Sequence, residues 1–314
     1  MTEIRHFINA ESFVFRKNDF ILLLVVFSAM GIGIGIPEFG RIFAPHPLYF
    51  MMLLLFFSFL KINFLQVFSE VRKKAFVLFI LCFFKLCVIP LILFFLTQIL
   101  WPEYAVPVLL LSGISTGVVA PFISGLLEAS TLLVLMMVVV FSLLAPFSLP
   151  TLVSVLVGQK IEIHFLVMVK VLAMVVFLPA AAVILLRYLY PTSLENLERV
   201  QFPVSLSMFA CINLGVFAKY SPFFIETPVK VAETILVAFV LSVISHMVGF
   251  LLTWRMKRED RLAGAISFAY MNNVLIVVFS SQFFGPLAPA LAALYMLPFF
   301  TMIVPARIVG QLLK

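Results

Sequence analysis

The chain has 314 residues, 64% of them hydrophobic and 11% charged, with a mean hydropathy of +1.22. That balance excludes a soluble domain and points to an integral membrane protein of helical type. The apolar runs are too long for barrel strands and do not alternate with period two, which excludes a β-barrel. The formal charge is +7, but the basic residues sit in short loops between apolar runs. Membrane topology explains them, and no nucleic-acid partner is expected.

Residues 1–18 are mixed polar and apolar, and an interfacial helix is expected from about Ile4 to Phe15. No cleavable signal peptide is expected. Ten spans follow, at roughly 19–36, 47–60, 75–98, 105–127, 131–156, 164–189, 202–218, 230–253, 262–282 and 285–309. An even count puts both termini on one side. With the N-terminus inside, 15 of the 21 Lys and Arg residues fall on inner segments. Four (Arg41, Lys160, Lys219 and Lys230) fall outside, and Lys85 and Lys170 lie within spans. The bias places both termini in the cytoplasm, and a bacterial inner membrane is the expected location.

Ten spans divide into five and five. An odd number per half makes any internal repeat inverted, with the first repeat at 19–156 and the second at 157–314. The fourth span contains Ser112-Gly-Ile-Ser-Thr-Gly-Val-Val-Ala-Pro121. Gly113, Gly117, Gly125 and Pro121 make it a poor continuous helix. Two half-helices with an unwound middle around Thr116 to Pro121 are expected. Such a break is tolerated in hydrocarbon only against protein or a wet cavity. The ninth span places Ser267, Tyr270, Asn272 and Asn273 at mid-membrane. Paired interruptions at matching positions of an inverted repeat predict crossed broken helices at the midplane.

Two ionisable residues lie equally deep. Lys85 sits about eleven residues into the third span, and His246 sits deep in the eighth. A mid-bilayer lysine costs roughly 2.5–3.5 kcal/mol on insertion scales, so its presence calls for a function. Lys85 either pins broken-helix carbonyls, serves the transport chemistry, or does both. Cys82, Cys87 and Cys211 fall in apolar segments without metal-ligand spacing and read as small hydrophobes. No metal motif, no nucleophile with an adjacent base and no paired carboxylates are visible, so no enzymatic activity and no cofactor are expected.

Local matches along the chain resemble the bile acid:sodium symporter family. They are Phe57 to Phe64, Cys87-Val-Ile-Pro90, Ser112 to Gly117, Ala145-Pro-Phe-Ser-Leu-Pro150 and Met271-Asn-Asn273. Their order and spacing carry the resemblance. It implies ten helices in two domains. Spans 1, 2, 6 and 7 would form a panel, and spans 3, 4, 5, 8, 9 and 10 a core holding the crossing. Family members carry organic anions, bile acids among them, coupled to sodium.

The departures bear on the coupling. The resemblance places the family's sodium-ligand positions on Ala120, Pro121, Val134, Val138 and Phe268, with Lys85 in place of a glutamine. Only Asn272 and Asn273 keep oxygen-bearing side chains there. No acid lies between Arg261 and Lys314, so the ninth-span glutamate is lost and sodium itself is in question. A tethered ammonium and a bound sodium would repel at one site. Lys85 is therefore expected to stand in for a cation, donating to ninth-span carbonyls and to Asn272. A buried ammonium can also shed its proton, which leaves proton coupling open.

The expected function is alternating-access transport of a small organic anion, lined by Ser115, Thr116, Asn213, His246, Asn272 and Asn273. Alternatives are a sodium-coupled symporter with other ligands, a non-transporting sensor or lipid-binding protein, or an exporter like the auxin-efflux and arsenite carriers. Membrane lipid is the remaining expected partner. The sequence leaves the oligomeric state open.

Overall fold

The computed structural model describes residues 17–60, 62, 64–158, 165–190 and 193–313. The interfacial helix expected at 4–15 lies outside the described residues, as do Lys61, Asn63 and Lys160. Among the described residues the chain is helical and forms no strand. Their isolated β-bridge is an antiparallel one, between Thr116 and Met271.

The helices follow the apolar runs. α1 (Lys17–Gly35), α2 (Pro37–Gly40), α3 (Pro47–Phe59) and α4 (Phe64–Lys73) lead to α5, at Ala75–Leu100. α6 (Ala105–Ser112) and α7 (Ala120–Leu126) flank a break. α8 (Thr131–Val157), α9 (Phe165–Leu189), α10 (Ser193–Lys219), α11 (Ser221–Glu226) and α12 (Pro228–Leu252) come next. α13 (Arg258–Ala269) and α14 (Asn273–Phe283) flank a second break. α15 (Leu287–Leu294), α16 (Met296–Thr301) and α17 (Ile303–Leu312) complete the chain. Five stretches, in α5, α8, α9, α10 and α12, are long and apolar enough to cross a membrane, and the bent α15–α17 segment makes up to six. The protein is thus an integral membrane protein.

Three details differ from the sequence expectation. The run expected as one span at 285–309 is broken into α15, α16 and α17, with a 41° bend at Met302. The helix expected at 202–218 begins at Ser193 and takes Pro203 in its interior. The unwound part of the fourth segment lies at 113–119, earlier than expected. Pro121 falls in the first turn of α7, where a missing N–H costs no helical hydrogen bond.

Packing sorts the helices into two groups. α10 lies against α1 and α3, and α3 also lies against α9. Elsewhere α5 packs on α6, α12 on α13 and α15, α14 on α15, and α8 on α13. The groups meet along α8 and α9, and again where α14 approaches α3 and α10. At the α14 junction Lys219 donates to the Ser281 carbonyl at 2.6 Å and Tyr220 to the same oxygen at 3.3 Å. Both donors come from the C-terminal end of α10 and reach the last turn of α14, where helix carbonyls lack intrahelical partners.

Glycine permits the tightest helix approach. A Cβ on Gly264 of α13 would run into the Gly249 carbonyl and the Thr253 hydroxyl of α12 and the turn after it. A Cβ on Gly31 of α1 would meet nothing within 4 Å. Overpacking of this kind costs about 1–3 kcal/mol. Gly264→Leu is therefore expected to lower the thermal midpoint of the detergent-solubilised protein by several degrees, while Gly31→Ala leaves it unchanged or slightly raised.

Candidate functional site

The site is built where the two breaks meet. α6 ends at Ser112, with Gly113 as a cap still bonded to the Leu109 carbonyl and the residues after it leaving helical geometry, and α13 ends at Ala269. The unwound stretches 113–119 and 270–272 then run antiparallel to each other. Gly117 N–H donates to the Tyr270 carbonyl at 2.8 Å, and Asn272 N–H donates to the Ser115 carbonyl at 2.9 Å. This short β-like pairing satisfies backbone groups that are buried away from water. It also requires glycine at 117, since a Cβ there would sit 2.9 Å from the Met271 carbonyl oxygen.

The end of α13 is capped carbonyl by carbonyl. Ser267 O accepts from Thr116 Oγ1 at 2.6 Å, and Phe268 O from Lys85 Nζ at 3.1 Å. Ala269 O accepts from Tyr295 OH at 2.7 Å, and Tyr270 O from Gly117 N–H. Four successive acceptors thus draw on the fourth segment, α5 and the turn between α15 and α16. Asn273 Nδ2 donates to the Ala292 carbonyl of α15 at 3.1 Å. Asn272 caps the start of α14, its Oδ1 accepting from Leu275 N–H at 3.3 Å.

Lys85 is the charged member and is 1% exposed. Its second bond goes to the Ser112 carbonyl at 3.0 Å, at the end of α6. One ammonium therefore bridges the C-terminal ends of both incoming half-helices, where the peptide dipoles place partial negative charge. Residues Phe84–Val88 form a π-helical turn inside α5, followed by Pro90, whose ring removes a helical donor. A π turn offsets the helix face by one residue and carries Lys85 inward. The ammonium also lies 5.8 Å from the Phe268 ring centroid. Among the described residues none of the ion pairs involves Lys85.

The structure brings together five of the seven residues singled out in the sequence. Lys85, Ser115, Thr116, Asn272 and Asn273 all border the crossing. His246 stands beside it on α12, its ring edge-on to Tyr270 at 5.5 Å. Asn213 does not join them. It lies on α10, and its amide donates to Phe209 O of its own helix at 2.7 Å. The expected contact from Lys85 to the Asn272 side chain is replaced by the Ser112 carbonyl, because the Asn272 oxygen is used as a helix cap. Sequence reasoning missed Tyr295, a buried hydroxyl in an otherwise apolar run. Four buried polar atoms near the crossing lack a protein partner: Ser115 Oγ, Ser267 Oγ, Tyr270 OH and His246 Nε2.

Of the positions where the resemblance puts sodium ligands, those occupied here by apolar residues offer no such atoms. Ala120, Val134, Val138 and Phe268 are buried to 1% exposure or less, and they lie on α7, α8 and α13, which pack on one another. Among the described residues no group of three or more His, Cys, Asp or Glu side chains could hold a metal ion.

No curated protein matches this chain. Residues 48–223 match the sodium bile acid symporter family, and this stretch runs from α3 through the first break to α11. It is more than half of the 314 residues. With crossed broken helices in a helical membrane protein and a match of that extent, the chain belongs to the sodium bile acid symporter family.

Proposed function

We propose that the protein is a secondary transporter of a small organic anion in which Lys85 takes the place of a coupling cation. The observation that carries this reading is the Lys85 ammonium bridging the Ser112 and Phe268 carbonyls at 3.0 and 3.1 Å. Sodium needs several oxygen ligands, and a fixed positive charge on two of the available carbonyls excludes a second one by repulsion. The apolar side chains at Ala120, Val134, Val138 and Phe268 support the same conclusion. The substrate is an organic acid of the kind the family carries. The N-terminal end of α14 and the Lys85 charge favour an anion, and Ser115, Thr116, Asn272 and Asn273 are the nearest polar groups.

In this reading the ten segments form an inverted repeat in the bacterial inner membrane with both termini in the cytoplasm. The group containing α1, α3, α9 and α10 is the panel against which the crossing moves. The Lys219 and Tyr220 bonds to the end of α14 close one side of the gap, and they break when that side opens. His246 lies on the core side, and Asn213 on the panel serves as the facing polar group once the gap is open.

The test is thermal unfolding of purified protein in sodium, potassium and choline chloride at equal ionic strength, for the native chain and Lys85→Gln. A ligand that binds only the folded state raises stability by mass action. The native chain is expected to show no sodium-specific shift. Lys85→Gln removes the donor from two buried carbonyls, and a decrease of about 1–3 kcal/mol is expected. A sodium-specific rise in the native chain sinks the proposal and restores sodium coupling.

Uptake into proteoliposomes supplies an independent check, with a radiolabelled bile acid as the probe. Entry is expected to be saturable and indifferent to an imposed sodium gradient. Acceleration by an inward proton gradient assigns proton coupling, and indifference to both gradients assigns facilitated diffusion. Entry that rises in proportion to sodium overturns the assignment of Lys85.

A further inference from the structure

A groove of about 280 Å³ runs between α12, α13 and α17, away from the interface of the two helix groups. Its inner end is bounded by Val243, Ile266 and Met302, and its outer end by Phe250, Leu262 and Val309. Its lining is apolar apart from His246. Val243 and Val309 are more than 40% exposed, so the groove opens on the protein surface. Such a slot rejects a polar solute, which would lose its hydration for a single partner. It suits a hydrocarbon chain.

Beyond Phe250 on α12 and beside Leu262 on α13 the chemistry changes. Trp254, Arg255, Lys257 and Arg261 lie together at the α12–α13 turn. The Arg261 guanidinium lies over the Trp254 ring at 5.4 Å, and its Nε is buried without a partner. The neighbouring acids are engaged elsewhere. Asp260 lies 3.9 Å from Lys74, and Glu128 lies 3.4 Å from Arg258. Glu259 is exposed. The groove therefore ends in a net positive, tryptophan-marked rim, the pattern of a membrane–water interface.

We propose that this groove binds an anionic phospholipid, with one acyl chain lying between α12, α13 and α17 and the phosphate held by Arg261 and Arg255. Charge complementarity fixes the headgroup class, and the apolar slot leading to the rim fixes the lipid rather than a free anion. Arginine is suited to the phosphate because its planar fork matches two oxygens. The chain's far end meets His246, whose ring lies edge-on to Tyr270 of the crossing. The bound lipid thus packs against a side chain that touches the site. This inference is independent of the transport reading and of Lys85.

The experiment is native mass spectrometry and thermal unfolding of the detergent-solubilised full chain, titrated separately with dioleoylphosphatidylglycerol, dioleoylphosphatidylcholine and inorganic phosphate. Phosphatidylglycerol is expected to be retained at least fivefold more strongly than phosphatidylcholine and to raise the unfolding midpoint, while inorganic phosphate does neither. Arg255→Gln with Arg261→Gln should remove the phosphatidylglycerol preference. Ala306→Phe, which fills the groove, should weaken both lipids, and Val309→Trp at the exposed mouth supplies the same test where folding is not at stake. Equal retention of the two lipids by the native chain overturns the headgroup assignment. Unchanged phosphatidylglycerol binding in folded Val309→Trp overturns the groove, and a phosphate shift equal to that of the lipid overturns the lipid.

Discussion

Four consecutive carbonyls at the end of α13 govern this protein. A helix that stops in a buried interior leaves its last acceptors without partners and without water. Each of these four, from Ser267 to Tyr270, receives a donor from elsewhere in the chain. The donors are a hydroxyl, an ammonium, a phenol and a backbone amide, and they come from three separate segments. The break in α13–α14 can therefore exist only if α5, the fourth segment and the α15–α16 turn are already in place. The fold and the crossing are a single cooperative unit.

Lys85 is the costliest of these donors to bury and serves two helix ends at once. An ammonium in a low-dielectric interior is tolerated when its hydrogen bonds are met and opposing charge is near. Here the opposing charge is not a carboxylate but the partial negative ends of α6 and α13. A mobile cation could supply the same field and then leave. A tethered one cannot, and in the proposed function this difference separates a transporter driven by an ion gradient from one that works without sodium.

The break positions were legible because their residues are poor helix formers. Gly113, Gly117 and the Asn272-Asn273 pair each mark a departure from helix in an otherwise apolar run. Lys85 was legible for the same kind of reason, since a charge in the middle of an apolar run must find hydrogen-bond acceptors. Tyr295 was not, because a tyrosine in a membrane helix is ordinary until its hydroxyl is seen to reach Ala269 O. Asn213 lies apart from the crossing. A polar side chain in a helix can satisfy its amide on the carbonyl four residues back, as it does on Phe209. The interruption at Tyr295 and the 41° bend at Met302 were missed because hydropathy, which defines a span, is blind to breaks and changes of helix direction.

By itself the sequence determined that the chain is a helical membrane protein, where its apolar segments lie, and that two of them are broken. Those conclusions rest on composition and backbone propensity, which act locally. Only the tertiary structure decided that Thr116 and Met271 face each other, and that Lys85 joins the ends of α6 and α13. It also decided that Asn272 is a helix cap instead of a partner for Lys85. A hydrogen bond between residues 183 apart in the chain, as between Lys85 and Phe268, depends on how whole helices stack, and no local pattern encodes it.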